Sequence, residues 1–433
     1  MNAKHGHVRG AARVVLVGGL VVGVILIAVG VGFGATVGVA LLTARPAVFL
    51  AVGLLVTAAV SAAGSWLALR RLPRPRRVRA SLFGAGVVAV VTFVAVSVPL
   101  PGTREAPSPV PNQADWQLDT GSRLAYVKLP GAAPARPTPI IVLHGGPGIP
   151  DMAGDSAYFG QLTDLGFDVY IYDQLGSGRS SRLPDPTGYG IERDAADLEQ
   201  IRRTIGAEQM VLIGHSYGGA LAAYYLAAHP DRVQKLVLSS PGPLDPADHS
   251  TARATAGLTT GARLRSYTAA LAPRALLGYT LLQVNPAAAH AYLGDREADA
   301  RNDVILTITE PALQCSPQQS TGPVRGSGFY AQQYPQSATA PPQPDIRPAL
   351  TGLPTPTLIF KGSCDYLSWQ SAIDYRQALP NSTLLYLGGA GHNTYQDQPA
   401  PVLAAIRSFL TGRPLPQASY PGDNAPKGYR GPP

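Results

Sequence analysis

Charge is what this sequence has least of. Charged residues make up 14% of the 433, against 45% hydrophobic, where a soluble domain ordinarily carries roughly a quarter charged residues. Acid is almost missing from one end. Residues 1–105 hold one acidic residue, Glu105, beside eleven basic ones (Lys4, Arg9, Arg13, Arg45, Arg70, Arg71, Arg74, Arg76, Arg77, Arg79 and Arg104). The net charge of +8 therefore belongs to that segment, and the near-neutral remainder gives no reason to expect a nucleic-acid partner. No internal repeat is present. The Gly-Ser-Gly turn at Gly176-Ser177-Gly178 is followed by no Walker lysine, which excludes a P-loop and leaves Asp173–Ser180 as structural.

Three stretches lack charge altogether: Val14–Leu42, Ala47–Leu69 and Ser81–Leu100. Each reaches the roughly 20 residues a membrane-spanning helix needs, and the first exceeds the apolar core of a signal peptide. We expect a membrane anchor over 1–102 with three transmembrane helices in a lipid bilayer. The absence of ionisable residues inside the runs excludes a transport pathway. Basic residues precede the first run and crowd the second connection, whereas the first connection has only Arg45. The positive-inside rule then puts the N-terminus in the cytoplasm and everything after the third helix outside the cell membrane. Residues 103–114, with Pro107, Pro109 and Pro111, read as a stiff linker.

Beyond the linker the pattern changes. Alternating residues from Trp116 to Leu129 predict a hairpin. Short apolar strands are expected at Pro139–Leu143, Phe167–Tyr172, Met210–Ile213, Lys235–Leu238, Pro354–Phe360 and Ser382–Leu387. Helical spacing occupies Asp155–Leu165, Glu192–Ile205 and Val402–Leu410. Strands alternating with helices predict an α/β fold with a parallel sheet covered on both faces. The alternation stops near Pro243. The expected organisation is a core at 115–243, a helical lid at 244–350 (helices at Thr268–Gln283 and Ala287–Leu293), a second core part at 351–412, and a loosely ordered Pro- and Gly-rich tail at 413–433.

Gly214-His215-Ser216-Tyr217-Gly218 joins a strand to a helix, with Ser216 at the apex. Such a turn presents a strained nucleophile and needs glycine on both sides of it. Asp365 and His392 also follow strands. In a parallel sheet those carboxyl ends line one crevice. The chain order Ser216, Asp365, His392 is that of an α/β-hydrolase triad: nucleophile, orienting acid and base. An oxyanion hole needs two N–H donors. Tyr217, after the nucleophile, supplies one, and Gly146 in His144-Gly145-Gly146-Pro147-Gly148 is placed to supply the other.

Together, His-Gly-Gly-Pro-Gly, Asp-Gln-Leu-Gly-Ser-Gly-Arg-Ser and Gly-His-Ser-Tyr-Gly-Gly resemble the proline iminopeptidase family of α/β-hydrolases, over about residues 115–412. The resemblance implies a serine aminopeptidase that releases an N-terminal residue, often proline, from small peptides, with no cofactor and no metal. It also implies lid carboxylates that grip the substrate amino group. The lid acids are Asp295, Glu297, Asp299, Asp303 and Glu310, and Glu310 is the candidate substrate-binding residue. His215 stands where the family often has glycine. Two other readings stay open. One is an esterase or lipase-like hydrolase of the same fold. The other is a non-catalytic surface binding protein. An extracytoplasmic domain also permits a disulfide between the two cysteines, Cys315 in the lid and Cys364 beside Asp365; two buried free thiols are the alternative.

Overall fold

Prolines set the boundaries of the N-terminal helices. In the computed structural model, which describes residues 2–99, 107–316 and 322–433, with side chains from residue 18 onward, α1 runs Asn2–Ala40, α2 Pro46–Ala68 and α3 Arg74–Ser97. The Arg104-Glu105 pair, residues 103–106 of the expected linker and the side chains of Lys4, Arg9 and Arg13 lie outside the described residues. Helix α3 starts seven residues earlier than the uncharged run, because Pro75 in its first turn has no N–H to lose there and the arginine cluster can join the helix. Three segments, Gly18–Ala40, Pro46–Ala68 and Arg74–Ser97, are long and apolar enough to cross a membrane. Helices α1 and α2 meet closely. A side chain added at Gly32 would overlap Thr57, and one added at Gly53 would overlap Thr36. Both threonines turn their hydroxyls back to the carbonyls of Gly53 and Gly32, at 2.9 Å, so small residues make the seam.

The chain forms two compact units, one of α1–α3 with Leu271–Gly294, the other of the rest. The larger unit is built on one eight-stranded sheet in the order β1-β2-β4-β3-β5-β6-β7-β8. Its strands are β1 Ala114–Gln117, β2 Arg123–Leu129, β3 Ile140–Leu143, β4 Val169–Tyr172, β5 Met210–His215, β6 Val233–Ser239, β7 Thr357–Gly362 and β8 Ser382–Leu387. β1–β2 and β2–β4 pair antiparallel; every other pair is parallel. Strands β3, β4 and β7 are buried along their whole length, as a sheet covered on both faces requires. Of the covering helices, α4 (Met152–Phe159) continues as a 3₁₀ turn to Leu165, α5 spans Ile191–Thr204, and α6 (Tyr217–Ala228) follows the elbow.

The insertion between β6 and β7 holds α7 (Thr260–Ala270), α8 (Pro273–Leu282), α9 (Pro286–Tyr292), α10 (Asp295–Thr309) and two short helices, α11 (Phe329–Gln333) and α12 (Arg347–Leu350). The single helix expected over Thr268–Gln283 is interrupted. Pro273 cannot continue α7 without losing a hydrogen bond, and instead occupies the first turn of α8. The remaining helices are α13 (Gln370–Ala378), α14 (Thr394–Asp397) and α15 (Pro399–Thr411).

The tail beyond Gly412 is not loose. Tyr420 N–H donates to the Leu384 carbonyl and Arg430 N–H to that of Ser363, at 2.7 and 2.9 Å. The Tyr429 hydroxyl donates to the Leu367 carbonyl at 2.6 Å. Tyr420 and Tyr429 pack edge-on against Trp369, with ring centroids 5.1 and 5.3 Å away. Composition pointed to disorder because glycine and proline dominate the segment; three aromatic rings and a run of backbone hydrogen bonds outweigh it.

Candidate active site

The elbow is built as its glycines require. Strand β5 ends at His215, α6 begins at Tyr217, and Ser216 between them has φ 51° and ψ −118°, a left-handed conformation rare for a residue with a side chain. A Cβ on Gly214 would collide with the Gly218 carbonyl, and one on Gly218 with the carbonyls of Leu143 and His144. Strand β3, the nucleophile turn and α6 thus pack too closely for any side chain at those two positions.

Asp365 follows β7 and His392 follows β8. His392 Nδ1 and Asp365 Oδ1 are 2.8 Å apart, and both residues are buried. That bond leaves Nε2 as the other ring nitrogen. Tyr366 lies between this pair and the elbow: its ring is 4.5 Å from the His392 ring, centroid to centroid, and the Ser216 side chain is near enough to act on its phenol. Burial raises the Tyr366 phenol above its ordinary range, the Asp365 charge adds to that, and the Ser216 contact opposes it.

Behind Asp365 stands Lys361, fully buried on β7. Its Nζ lies 2.8 Å from Asp365 Oδ2 and 3.1 Å from Ser371 Oγ. Burial pushes the carboxyl up and the ammonium down. The contact between them opposes both, with His392 also favouring the carboxylate, so Asp365 is held well below the usual range and we assign a charged pair at neutral pH.

Gly146 has φ +123° and lies in the loop after β3. A Cβ on neighbouring Gly145 would sit 3.2 Å from Ser216 Cβ, so this loop lies against the elbow. The loop is braced by Gln174, whose backbone N–H donates to His144 Nε2 and whose amide donates to the His144 carbonyl, both at 2.9 Å. His144 Nδ1 faces the Gly145 carbonyl. Burial lowers His144 to about 4, so the neutral ring donates at Nδ1 and accepts at Nε2. This is the structural role of Asp173–Ser180. Burial likewise lowers His215 to about 3. Neutral His215 donates from Nδ1 to the Ser239 carbonyl, 3.1 Å away, and its Nε2 meets the Asn393 side chain.

Glu310 is not brought to the nucleophile. It is buried and accepts a hydrogen bond from Gln314 Nε2 at 2.9 Å. Its segment braces the histidine loop instead. His392 N–H donates to the Leu313 carbonyl at 2.7 Å, Asp397 Oδ2 accepts from Gly391 and Cys315 N–H at 2.5 and 3.2 Å, and Cys315 is joined to Cys364 with Cα atoms 5.3 Å apart. The disulfide ties the lid to the acid loop across 49 residues of chain. Its removal in a Cys315→Ser/Cys364→Ser variant is expected to cost roughly 2–4 kcal/mol, read as a lower denaturant midpoint. Thiol titration of the unreduced parent should find no reactive cysteine.

A cavity of about 500 Å³ contains Ser216, Tyr217, Gly146 and Tyr366. Lid residues Gln332–Gln336 and Ala340–Pro344 line it too. Its charged lining residues are Glu192 and Arg193, at the start of α5. Arg193 is taken up by the Thr120 carbonyl, the Ser122 hydroxyl and Asp197. Glu192 is exposed. Next to it, buried Asp194 accepts from the Tyr217 hydroxyl at 2.6 Å, and burial raises that carboxyl to about 7. Lys361, Tyr366 and Glu192 escaped sequence reasoning. None belongs to a motif, and Glu192 was legible only as part of an amphipathic helix.

The sequence profile of the α/β hydrolase fold family matches residues 138–399. The chain belongs to that family. Among curated relatives of this α/β-hydrolase, the proline iminopeptidase of Heyndrickxia coagulans is 38% identical over 125 residues, or 28% of this chain and 41% of that protein. The proline iminopeptidase of Saccharolobus solfataricus is 40% identical over 105 residues, 23% of this chain and 32% of that one. The match thus spans less than half the length of either relative. Among solved structures, the epoxide hydrolase CorEH is similar in fold, with a TM-score of 0.50 and 18% identity over 69% of this chain and 98% of that one.

Proposed function

We propose that this α/β-hydrolase is a membrane-anchored serine aminopeptidase that works outside the cell membrane, releasing N-terminal residues of the proline type from small peptides. The observation that carries the reading is Ser216 on a strained elbow, lining a cavity that also holds the Glu192 carboxylate, with the buried His392–Asp365 pair packed against Tyr366 of the same lining. The charge distribution of the N-terminal segment supports the orientation, with the N-terminus cytoplasmic.

In the reaction, the Ser216 hydroxyl hydrogen-bonds His392 Nε2. Its oxygen then attacks the scissile carbonyl as His392 takes the proton, and Asp365 stabilises the imidazolium. The Tyr217 and Gly146 N–H groups hold the developing oxyanion. Collapse breaks the C–N bond, His392 protonates the leaving amine, and an acyl-enzyme remains on Ser216. Water, deprotonated by His392, attacks the ester; the acyl C–Oγ bond breaks, His392 returns the proton to Ser216 Oγ, and the product leaves as its carboxylic acid. No step needs a metal or cofactor.

The amino group of the substrate needs an anion in the cavity. Glu192 takes the role that the resemblance assigned to a lid acid. Glu192→Gln is expected to raise KM for unblocked aminoacyl amides by about 10- to 100-fold, the worth of one charge-assisted hydrogen bond, while leaving fluorophosphonate labelling of Ser216 unchanged. A panel of unblocked aminoacyl amides, N-blocked peptides and short-chain esters tests the whole reading. Equal cleavage of blocked peptides would sink the aminopeptidase assignment, and preferential ester cleavage would favour a lipase-like enzyme.

A further inference from the structure

Part of the lid belongs with the membrane helices. Residues 271–294 form a helical hairpin of α8 and α9 in the same compact unit as α1–α3. Three side-chain hydrogen bonds and a ring contact join it to one end of the bundle. Arg274 and the Tyr292 hydroxyl both donate to the Val96 carbonyl, at 3.0 and 2.6 Å. Asn285 Nδ2 donates to the Ala40 carbonyl at 2.8 Å. The Tyr292 ring packs edge-on against Phe49, 6.2 Å between centroids. Ala40 ends α1, Val96 lies in the last turn of α3, and Phe49 lies in the first turn of α2. In an up-down-up bundle these three positions share one face.

That face has a chemical need. The last carbonyls of a helix have no partner within it, so those of α1 and α3 are open to donors from a packed neighbour. The hairpin supplies donors from three side chains. Arg274 also sets a positive charge at the C-terminal end of α3, where the helix dipole favours it, and its guanidinium lies 4.5 Å from the Tyr292 ring centre.

The opposite side of the hairpin carries exposed apolar side chains. Helix α8 buries Leu277, Leu281 and Leu282. Leu276 and Tyr279, on its other face, are 40% and 45% exposed, and Leu271 before the helix is 61% exposed. A Leu and a Tyr at helical spacing, level with the ends of spanning helices, suit the headgroup layer, where a tyrosine keeps its ring in the acyl boundary and its hydroxyl wet.

We infer that residues 271–294 are an interfacial membrane element, docked on the outer end of the three-helix anchor with Leu271, Leu276 and Tyr279 in the headgroup layer of the bilayer. The catalytic lid, continuous with this hairpin at Ala270 and Asp295, is thereby tied to the membrane surface. The inference rests on the reading that α1–α3 span the membrane.

Leu276→Trp and Tyr279→Trp, each made in the full chain and reconstituted in phosphatidylcholine/phosphatidylglycerol vesicles, test it. The probes are lipids carrying a nitroxide near the headgroup or near the bilayer centre, and aqueous iodide; emission of the unsubstituted protein is subtracted. The added tryptophan at either site should lose most of its emission to the shallow nitroxide, less to the deep one and little to iodide. Strong quenching by iodide with none by lipid would place the hairpin in water and overturn the inference. Protection from both probes would mean that protein covers the face, and would overturn it equally. Native Trp66, in the last turn of α2, separates the two readings. Its quenching by the shallow lipid reports the spanning bundle, so failure of the anchor and failure of the hairpin give different results.

Discussion

Ser216→Ala is expected to lower kcat by roughly 10⁵- to 10⁶-fold, the loss seen when the nucleophile of a serine triad is removed and only binding and oxyanion stabilisation remain. The argument is geometric. Ser216 is held at φ 51° by an elbow whose flanking glycines admit no side chain, so the oxygen stands clear of the sheet at one point in space. The alanine variant keeps the backbone, so its unfolding midpoint should match that of the parent. Hydrolysis of an unblocked aminoacyl amide by the full chain, with fluorophosphonate labelling in parallel, reads the effect. A variant that keeps about a tenth of the parental rate would place the nucleophile elsewhere. A parent that takes no label would favour the non-catalytic binding protein.

The residues around this nucleophile were legible in the sequence for one reason. The chemistry fixes both their types and their places after strands, and strands announce themselves by composition. Ser216, Asp365 and His392 each follow a short apolar run, and so does the Gly146 loop. What supports them follows no such rule. Lys361 reads as one polar residue in a strand, and only the sheet shows it fully buried behind Asp365. Tyr366 is one of 19 tyrosines. Glu310 looked like a ligand because it is an acid in the lid, yet its segment bonds the histidine loop. The insertion between β6 and β7 was least legible because its helices are short and proline-broken, and because part of it packs on the N-terminal helices, a long-range relation that periodicity does not encode. The tail was misread for the opposite reason: its glycines and prolines were visible, but the acid loop they dock on was not.

Lys361→Met should cost about 3–5 kcal/mol of stability at neutral pH, the usual result of removing one partner from a buried ion pair. Both side chains have no exposed surface, so neither water nor salt can replace the ammonium 2.8 Å from Asp365 Oδ2. The remaining ligands of the carboxylate, His392 Nδ1 and the Leu367 N–H at 3.1 Å, do not neutralise it while His392 is uncharged. The sign with pH follows from the depressed Asp365 carboxyl. A folded-state pKa below the unfolded value of about 3.9 stabilises the fold above that value and is lost as pH falls through the folded pKa. Without Lys361 the folded pKa rises, because desolvation is then opposed only by His392 and the Leu367 N–H. The deficit of the variant is therefore largest near neutrality and shrinks on acidification, as its carboxyl takes up a proton. Adding Asp365→Asn removes the uncompensated charge, so the double variant should recover most of the stability while remaining inactive. Denaturant midpoints of the three proteins at neutral and acidic pH measure this. Equal midpoints for parent and Lys361→Met at neutral pH would mean that Lys361 and Asp365 are not an ion pair there, and an Asp365 carboxylate orienting His392 would need another source of stabilisation.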